Sequence, residues 1–148
     1  MSARNKPTTH KRWRRGAALV MATIAGTLMV LIGTAPAQAA PSGCASGALC
    51  AWEDENYLTN STTVHASFFG NNQHWSDFAQ SACQSGNWND CASSIFNNGT
   101  QCTAHVYWDA GFGLPRINVP RGTGYAQLDQ NMPDGRNWND KISSNNWC

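Results

Sequence analysis

Apolar positions fall into two regimes along the chain. From Ala17 to Ile32 they form one nearly unbroken run of 16 residues; beyond Pro41 they come in short runs separated by Asn, Gly, Ser and Pro. Short apolar runs bounded by turn residues predict strands. The candidates are Leu49 to Trp52, Thr62 to Phe69, Ser94 to Phe96, Thr103 to Trp108, Arg116 to Val119 and Gly124 to Leu128. Within them, Thr103 to Tyr107 alternates polar and apolar, the pattern of a half-buried strand. Asn97-Asn98-Gly99 and Pro133-Asp134-Gly135 read as turns. One helical spacing stands out. Trp75, Phe78, Ala79 and Ala82 recur at i, i+3, i+4 and i+7, which predicts a short helix over Ser76 to Ala82. Many short strands with frequent turns predict an all-β sandwich or barrel.

The long apolar run is shorter than the ~20 residues a membrane span needs. Lys6, Lys11, Arg12, Arg14 and Arg15 precede it, and Ala37-Gln38-Ala39 follows it. A basic start, an apolar centre and a small-residue cleavage pattern make residues 1–39 a secretory signal peptide. The alternatives are an uncleaved anchor and, from Arg14-Arg15, twin-arginine export. Cleavage after Ala39 leaves residues 40–148 as one extracellular domain. That domain keeps nine acids and only four bases, a net charge of −5 where the whole chain has +1. Such a balance argues against nucleic acid and anionic membrane as partners.

Two segments repeat. Asn87-Trp88-Asn89-Asp90-Cys91-Ala92-Ser93-Ser94 and Asn137-Trp138-Asn139-Asp140-Lys141-Ile142-Ser143-Ser144 agree at six of eight positions, 50 residues apart. Upstream of each copy is an aromatic pair at matched spacing, Trp52 with Tyr57 and Tyr107 with Phe112. The domain is therefore two copies of one unit of about 50 residues, each too small to bury a core alone. Motif one covers about residues 44–97 and motif two about 98–148.

An aromatic, a second aromatic five positions on and a later N-D-x-x-S-S resemble the βγ-crystallin Greek-key motif. The resemblance is closer still to a secreted bacterial family of crystallin-fold metalloproteinase inhibitors. It is carried by Cys50-Ala51-Trp52-Glu53, by Asn89 to Ser94, by the Asn-rich turn and by Cys102, and it extends over nearly all of Cys44 to Cys148. The implied fold is a βγ-crystallin-like double Greek-key sandwich. Crystallin motifs carry Gly two residues after the second aromatic. Here Thr59 and Leu114 stand there, so Asn60 or Gly113 is expected to supply the positive φ.

All six cysteines lie after residue 39, and an even count in a secreted chain reads as a disulfide framework. Zinc is disfavoured, because no Cys-x-x-Cys occurs and His65, His74 and His105 are scattered. Six cysteines allow 15 pairings. The favoured set is Cys44–Cys50 and Cys83–Cys91, which close short loops, with Cys102–Cys148, whose members follow the two Ser-Ser turns at similar distances.

The N-D-x-x-S-S segment is a source of oxygen donors, which suit a hard cation such as Ca²⁺. The resemblance implies two sites, each combining groups from both motifs, one around Asn89, Asp90 and Ser93 and one around Asn139, Asp140 and Ser143, each closed by a backbone carbonyl near Glu53 or Trp108. With one carboxylate per motif, weak binding is expected, on the order of 10⁻⁴–10⁻³ M, and Lys141 weakens the second site further. The same side chains can instead satisfy turn backbones without any metal.

No His-Glu-x-x-His, Gly-x-Ser-x-Gly or phosphate loop occurs, so an enzyme is not expected. The resemblance implies a monomeric, secreted inhibitor of extracellular peptidases, most plausibly metalloproteases. The competing readings are a calcium-stabilised module without a protease target and a carbohydrate binder using its Trp residues. For an inhibitory surface two segments qualify, of which the loop between Cys83 and Cys91 is preferred. Gln84-Ser85-Gly86-Asn87 lies between Cys83 and Cys91, and Leu114 stands beside the stiff Pro115. Motif positions assign Trp52, Tyr57, Tyr107, Phe112, Trp88 and Trp138 to packing, and leave Trp75 and Trp147 unplaced.

Overall fold

The computed structural model describes residues 38–58 and 64–148. They belong to the unit Ala35–Cys148. Residues 1–37 of the expected signal peptide, Thr62 and Thr63 of the second expected strand, and Asn60 lie outside the described residues. Among the described residues no helix is long and apolar enough to cross a membrane.

Among the described residues seven strands form: β1 (Leu49–Trp52), β2 (His65–Phe68), β3 (Ser94–Asn97), β4 (Ala104–Asp109), β5 (Gly113–Val119), β6 (Gly124–Tyr125) and β7 (Ser144–Trp147). They make two antiparallel sheets with orders β2-β1-β3-β6 and β5-β4-β7. The motifs exchange members. β6 of motif two pairs with β3 of motif one, Ile95 opposite Tyr125 and Phe96 opposite Gly124. In return Asn72 of motif one bridges Asn145 of β7. Gly124 is required at this crossover, since a Cβ there would strike the Ile95 carbonyl oxygen. Neither motif can close its sheet alone, which is the physical reason for the repeat.

The main core lies between the sheets and includes Leu49, Phe68, Trp75, Trp88, Ile95, Val106, Val119, Leu128, Trp138 and Ile142. Phe68 stacks on Trp75 at 4.1 Å between centroids. A second cluster, Ala48, Cys50, Trp52 and Phe96, sits on the other face of the first sheet beneath Cys44, Ala45 and Tyr57. The segment before β1, tied down by Cys44–Cys50, thus covers that face. Covering on both faces explains why every residue of β1 and β3 is buried. The other two bridges are Cys83–Cys91 and Cys102–Cys148, the favoured pairing.

One predicted helix and one unpredicted strand mark where sequence and structure differ. The helix over Ser76 to Ala82 does not form; only a 3₁₀ turn at Trp75–Asp77 exists. The chain instead doubles back as a hairpin, with Trp88 N–H donating to Phe78 O at 3.0 Å and Gln80 N–H to Gly86 O at 2.9 Å. The apolar spacing reflects the two ends of an irregular segment: Trp75 is buried while Phe78 is exposed and covers Phe68 edge-on. The strand β7 was also not anticipated, because Ser144-Asn145-Asn146-Trp147 carries little apolar signal.

In motif two the fold-over after the aromatic pair is made without the expected positive φ at Gly113. Gly113 has φ −72. The left-handed conformation falls earlier, at Gly111 and Phe112 (φ 69 and 65) and, in motif one, at Asn56 and Tyr57 (φ 59 and 56). Gly113 serves close approach instead, since a Cβ would sit 2.6 Å from Asp109 Cβ.

Candidate functional site

The two N-D-x-x-S-S segments are built alike. Asp90 and Asp140 both adopt φ 54. Asn89 Nδ2 donates to Asp90 Oδ2 at 2.8 Å, and Asn139 Nδ2 to Asp140 Oδ2 at 2.9 Å. The final serine of each segment clasps the fold-over of its own motif. Ser94 Oγ donates to Asp54 O at 2.7 Å and accepts from Tyr57 N–H at 3.2 Å. Ser144 Oγ donates to Asp109 O at 2.7 Å and accepts from Phe112 N–H at 3.1 Å. These serines are buried, and the hydroxyl satisfies backbone groups that the tight corner leaves without ladder partners.

The segments meet head to head. Asp90 N–H donates to Ile142 O at 3.1 Å and Asp140 N–H to Ala92 O at 3.0 Å. Ser143 Oγ donates to Asp90 Oδ1 at 3.0 Å. Asp90 is thus joined by Ser143 of the other motif. Asp140 and Ser93 line one open polar depression of about 330 Å³ together with Asp90, Glu53, Asp54 and the Cys83–Cys91 bridge. The symmetry of the swapped sheets causes this, since it places each acidic turn against its counterpart. Trp108 does not line the depression. It packs edge-on against Trp138, with Lys141 Nζ 6.0 Å over its ring.

Burial raises the Asp140 carboxyl above its ordinary value; Lys141 opposes the shift and the Asp90 charge adds to it. Among the described residues no three His, Cys, Asp or Glu side chains close into a metal centre. Any cation here would need hydroxyl, amide and carbonyl oxygens as well. Next to Asp140 in sequence, Asn139 Oδ1 is buried without a hydrogen-bond partner.

The two inhibitory-loop candidates differ sharply. Gln84 to Asn87 is curled rather than extended. Ser85 Oγ donates to Asn87 O and Asn89 O, both at 3.1 Å, and Asn87 Nδ2 returns to Ser85 O at 3.1 Å. A short disulfide loop rich in Ser, Gly and Asn spends its polar groups on itself. Leu114, in contrast, is 72% exposed, the most exposed large apolar side chain among the described residues. It stands on β5, at the end of its sheet. The register explains its position. Tyr107 pairs with Arg116 and Asp109 with Gly113, so Leu114 and Pro115 together oppose Trp108 alone. That is a β-bulge, which bends a strand and redirects a side chain.

The tryptophans do not form a surface row. Trp52, Trp75, Trp88 and Trp138 are buried, and Trp75 Nε1 donates to Asn145 Oδ1 at 2.9 Å. Trp108 and Trp147 are half-buried against the core. A carbohydrate platform of exposed Trp is therefore lacking among the described residues.

Two sheets that exchange elements between motifs, with mirrored serine clasps, define a double Greek-key domain of βγ-crystallin type. A solved structure described under the evolution of the eye-lens βγ-crystallin domain fold is similar, with TM-score 0.55 and 21% identity over 74% of this chain and 93% of that one. A βγ-crystallin from Ciona intestinalis gives TM-score 0.49 and 20% identity over 69% and 100%. No curated protein matches in sequence. Residues 37–115 match peptidase inhibitor family I36, and the chain belongs to that family. It is a peptidase inhibitor rather than an enzyme, and its partner is a peptidase.

Proposed function

We propose that the protein is a secreted, monomeric inhibitor of extracellular metallopeptidases, stabilised by weak calcium binding. The observation that carries the metallopeptidase assignment is Leu114, a large apolar side chain held out on a bulged strand. Zinc peptidases of the thermolysin type favour a large apolar residue after the scissile bond, and a side chain fixed in position loses little entropy on binding. Secretion is supported by the leader pattern of residues 1–39 and by three disulfides. Calcium is supported by the oxygen-rich depression. Asp90, Asp140, Ser93 and the unpartnered Asn139 Oδ1 are the groups that would hold it. Bound calcium would offset the repulsion between the two carboxylates that the fold brings together.

The test is a panel of purified thermolysin-type, subtilisin-type and papain-type peptidases titrated with residues 40–148. Stoichiometric inhibition confined to the thermolysin type supports the assignment; inhibition confined to another class ends it.

A further inference from the structure

The longest strand of the domain, β5, is a sheet edge with no strand on its outer side among the described residues. The direction of its backbone groups follows from its neighbour. Tyr107 O accepts Ser143 N–H at 3.0 Å, so the polar groups of Tyr107 face away from β5. In an antiparallel ladder its partner Arg116 then turns its own N–H and C=O to the free edge. The same alternation turns Asn118 outward, and Tyr125 Oη caps the Asn118 carbonyl at 3.1 Å. The edge is therefore closed at Asn118 and open at Arg116. Exposed Leu114 and Arg116 side chains flank the open part. Beside it lies a depression of about 240 Å³ lined by Arg116, Ile117, Asn118, Pro133 and Asp134, large enough to seat one side chain of a partner.

Sheet edges carry an inherent tendency to recruit another strand, and proteins block it with Pro, charge or a cover. Here Pro115 stands inside the bulge, opposite Trp108, leaving the Arg116 N–H unblocked. Peptidases bind substrates as extended chains through backbone hydrogen bonds, with side chains entering specificity pockets.

We propose that the free edge of β5 is the surface that enters the peptidase cleft: the Arg116 N–H and C=O pair with an edge strand of the enzyme, and Leu114 fills its apolar pocket. The occupant is a zinc metallopeptidase with an apolar specificity pocket, so this inference rests on the function proposed above. The tight hairpin at Gln84 to Asn87 takes no part. The bulge holds Leu114 at a fixed offset from Arg116, so anchor and hydrogen bonds engage together.

Backbone and side chain can be separated by substitution. Arg116→Pro removes an N–H that β4 does not use, whereas Arg116→Ala keeps it. Leu114→Asp removes the anchor. Each variant is assayed against thermolysin and subtilisin, with its unfolding temperature measured alongside. The expected result is thermolysin inhibition weakened about 10-fold or more by Arg116→Pro, changed less than about 3-fold by Arg116→Ala, and weakened about 100-fold by Leu114→Asp. Folded Arg116→Pro and Leu114→Asp proteins that inhibit thermolysin as well as wild type overturn the surface and leave the metallopeptidase reading intact. Subtilisin inhibition alone, with the same variant pattern, keeps the surface and overturns the metallopeptidase as its occupant. Inhibition of neither enzyme by wild type overturns both. Amide exchange on the wild-type complex gives a check independent of variant folding: the Arg116 N–H slows on complex formation, and an unchanged rate rejects strand pairing.

Discussion

Ser143 Oγ lies 3.0 Å from Asp90 Oδ1, across a sequence separation of 53 residues. This bond joins the two acidic turns and has no counterpart between Ser93 and Asp140 among the described residues, although the backbone bonds around it are mirrored. The pseudo-symmetric domain is thus asymmetric at the point where its chemistry concentrates. Asp90 has a hydroxyl donor from the other motif. Asp140 instead has Lys141 beside it.

The two serine clasps should behave as equals. Ser94→Ala and Ser144→Ala each remove one donor and one acceptor from a tight corner and leave buried backbone groups unpaired. A loss of about 1–3 kcal/mol is expected for each. Urea unfolding of the two variants checks this. One clasp costing nothing would mean that the corner is held by aromatic packing alone.

Asp134 and Asp140 should respond to pH with opposite sign. Burial works to raise the Asp134 carboxyl, but the Arg136 N–H, the Trp138 indole and the Arg136 guanidinium together hold it below its ordinary value. Its contribution is present above the unfolded-state value of about 3.8 and is lost as pH falls through the folded value. Asp140, raised by burial, gives stability that is full below 3.8 and lost as pH rises through its folded value. In calcium-free buffer at pH 7, Asp134→Asn should therefore lower the unfolding temperature and Asp140→Asn should raise it. Thermal scans from pH 3 to 7 decide, and shifts of the same sign would contradict the assignment.

Lys141 should act as an internal substitute for part of a cation. Lys141→Ser removes a positive charge beside Asp140, so calcium affinity rises several-fold at low ionic strength. Asp90→Asn and Asp140→Asn should both abolish the calcium-induced rise in unfolding temperature, because their carboxylates line the same depression. Calorimetric titration of calcium-stripped protein measures all three, and unchanged calcium binding in Asp90→Asn would remove the depression from consideration.

The disulfides should rank by loop length. Cys102–Cys148 spans 46 residues and Cys83–Cys91 spans 8. Chain-entropy estimates put their removal at about 4 and about 2.5 kcal/mol. Paired Cys→Ser variants compared by urea unfolding give the ranking.

Much of this was legible in the sequence because the repeat exposes it. N-W-N-D-x-x-S-S and the two aromatic pairs mark residues whose packing and bonding recur, and one copy interprets the other. The strands of high apolar content, β1, β3 and β4, were read closely. What escaped was held by polar side chains acting at long range. The strand β7 depends on Asn145, buried and bonded to Asn72 and Trp75 more than 69 positions away, which no local pattern announces. Trp75, unplaced from its surroundings in sequence, finds its indole partner there. The bulge at Leu114 follows from a register that only the folded sheets reveal.

The most direct measurement is titration of a fixed concentration of thermolysin with residues 40–148 of the wild-type chain. Activity should fall linearly to near zero at one equivalent, and the inhibitor recovered from the complex should remain uncut between Cys83 and Cys91. Full enzyme activity at tenfold molar excess, or a first cleavage inside that loop, would contradict inhibition through the β5 edge.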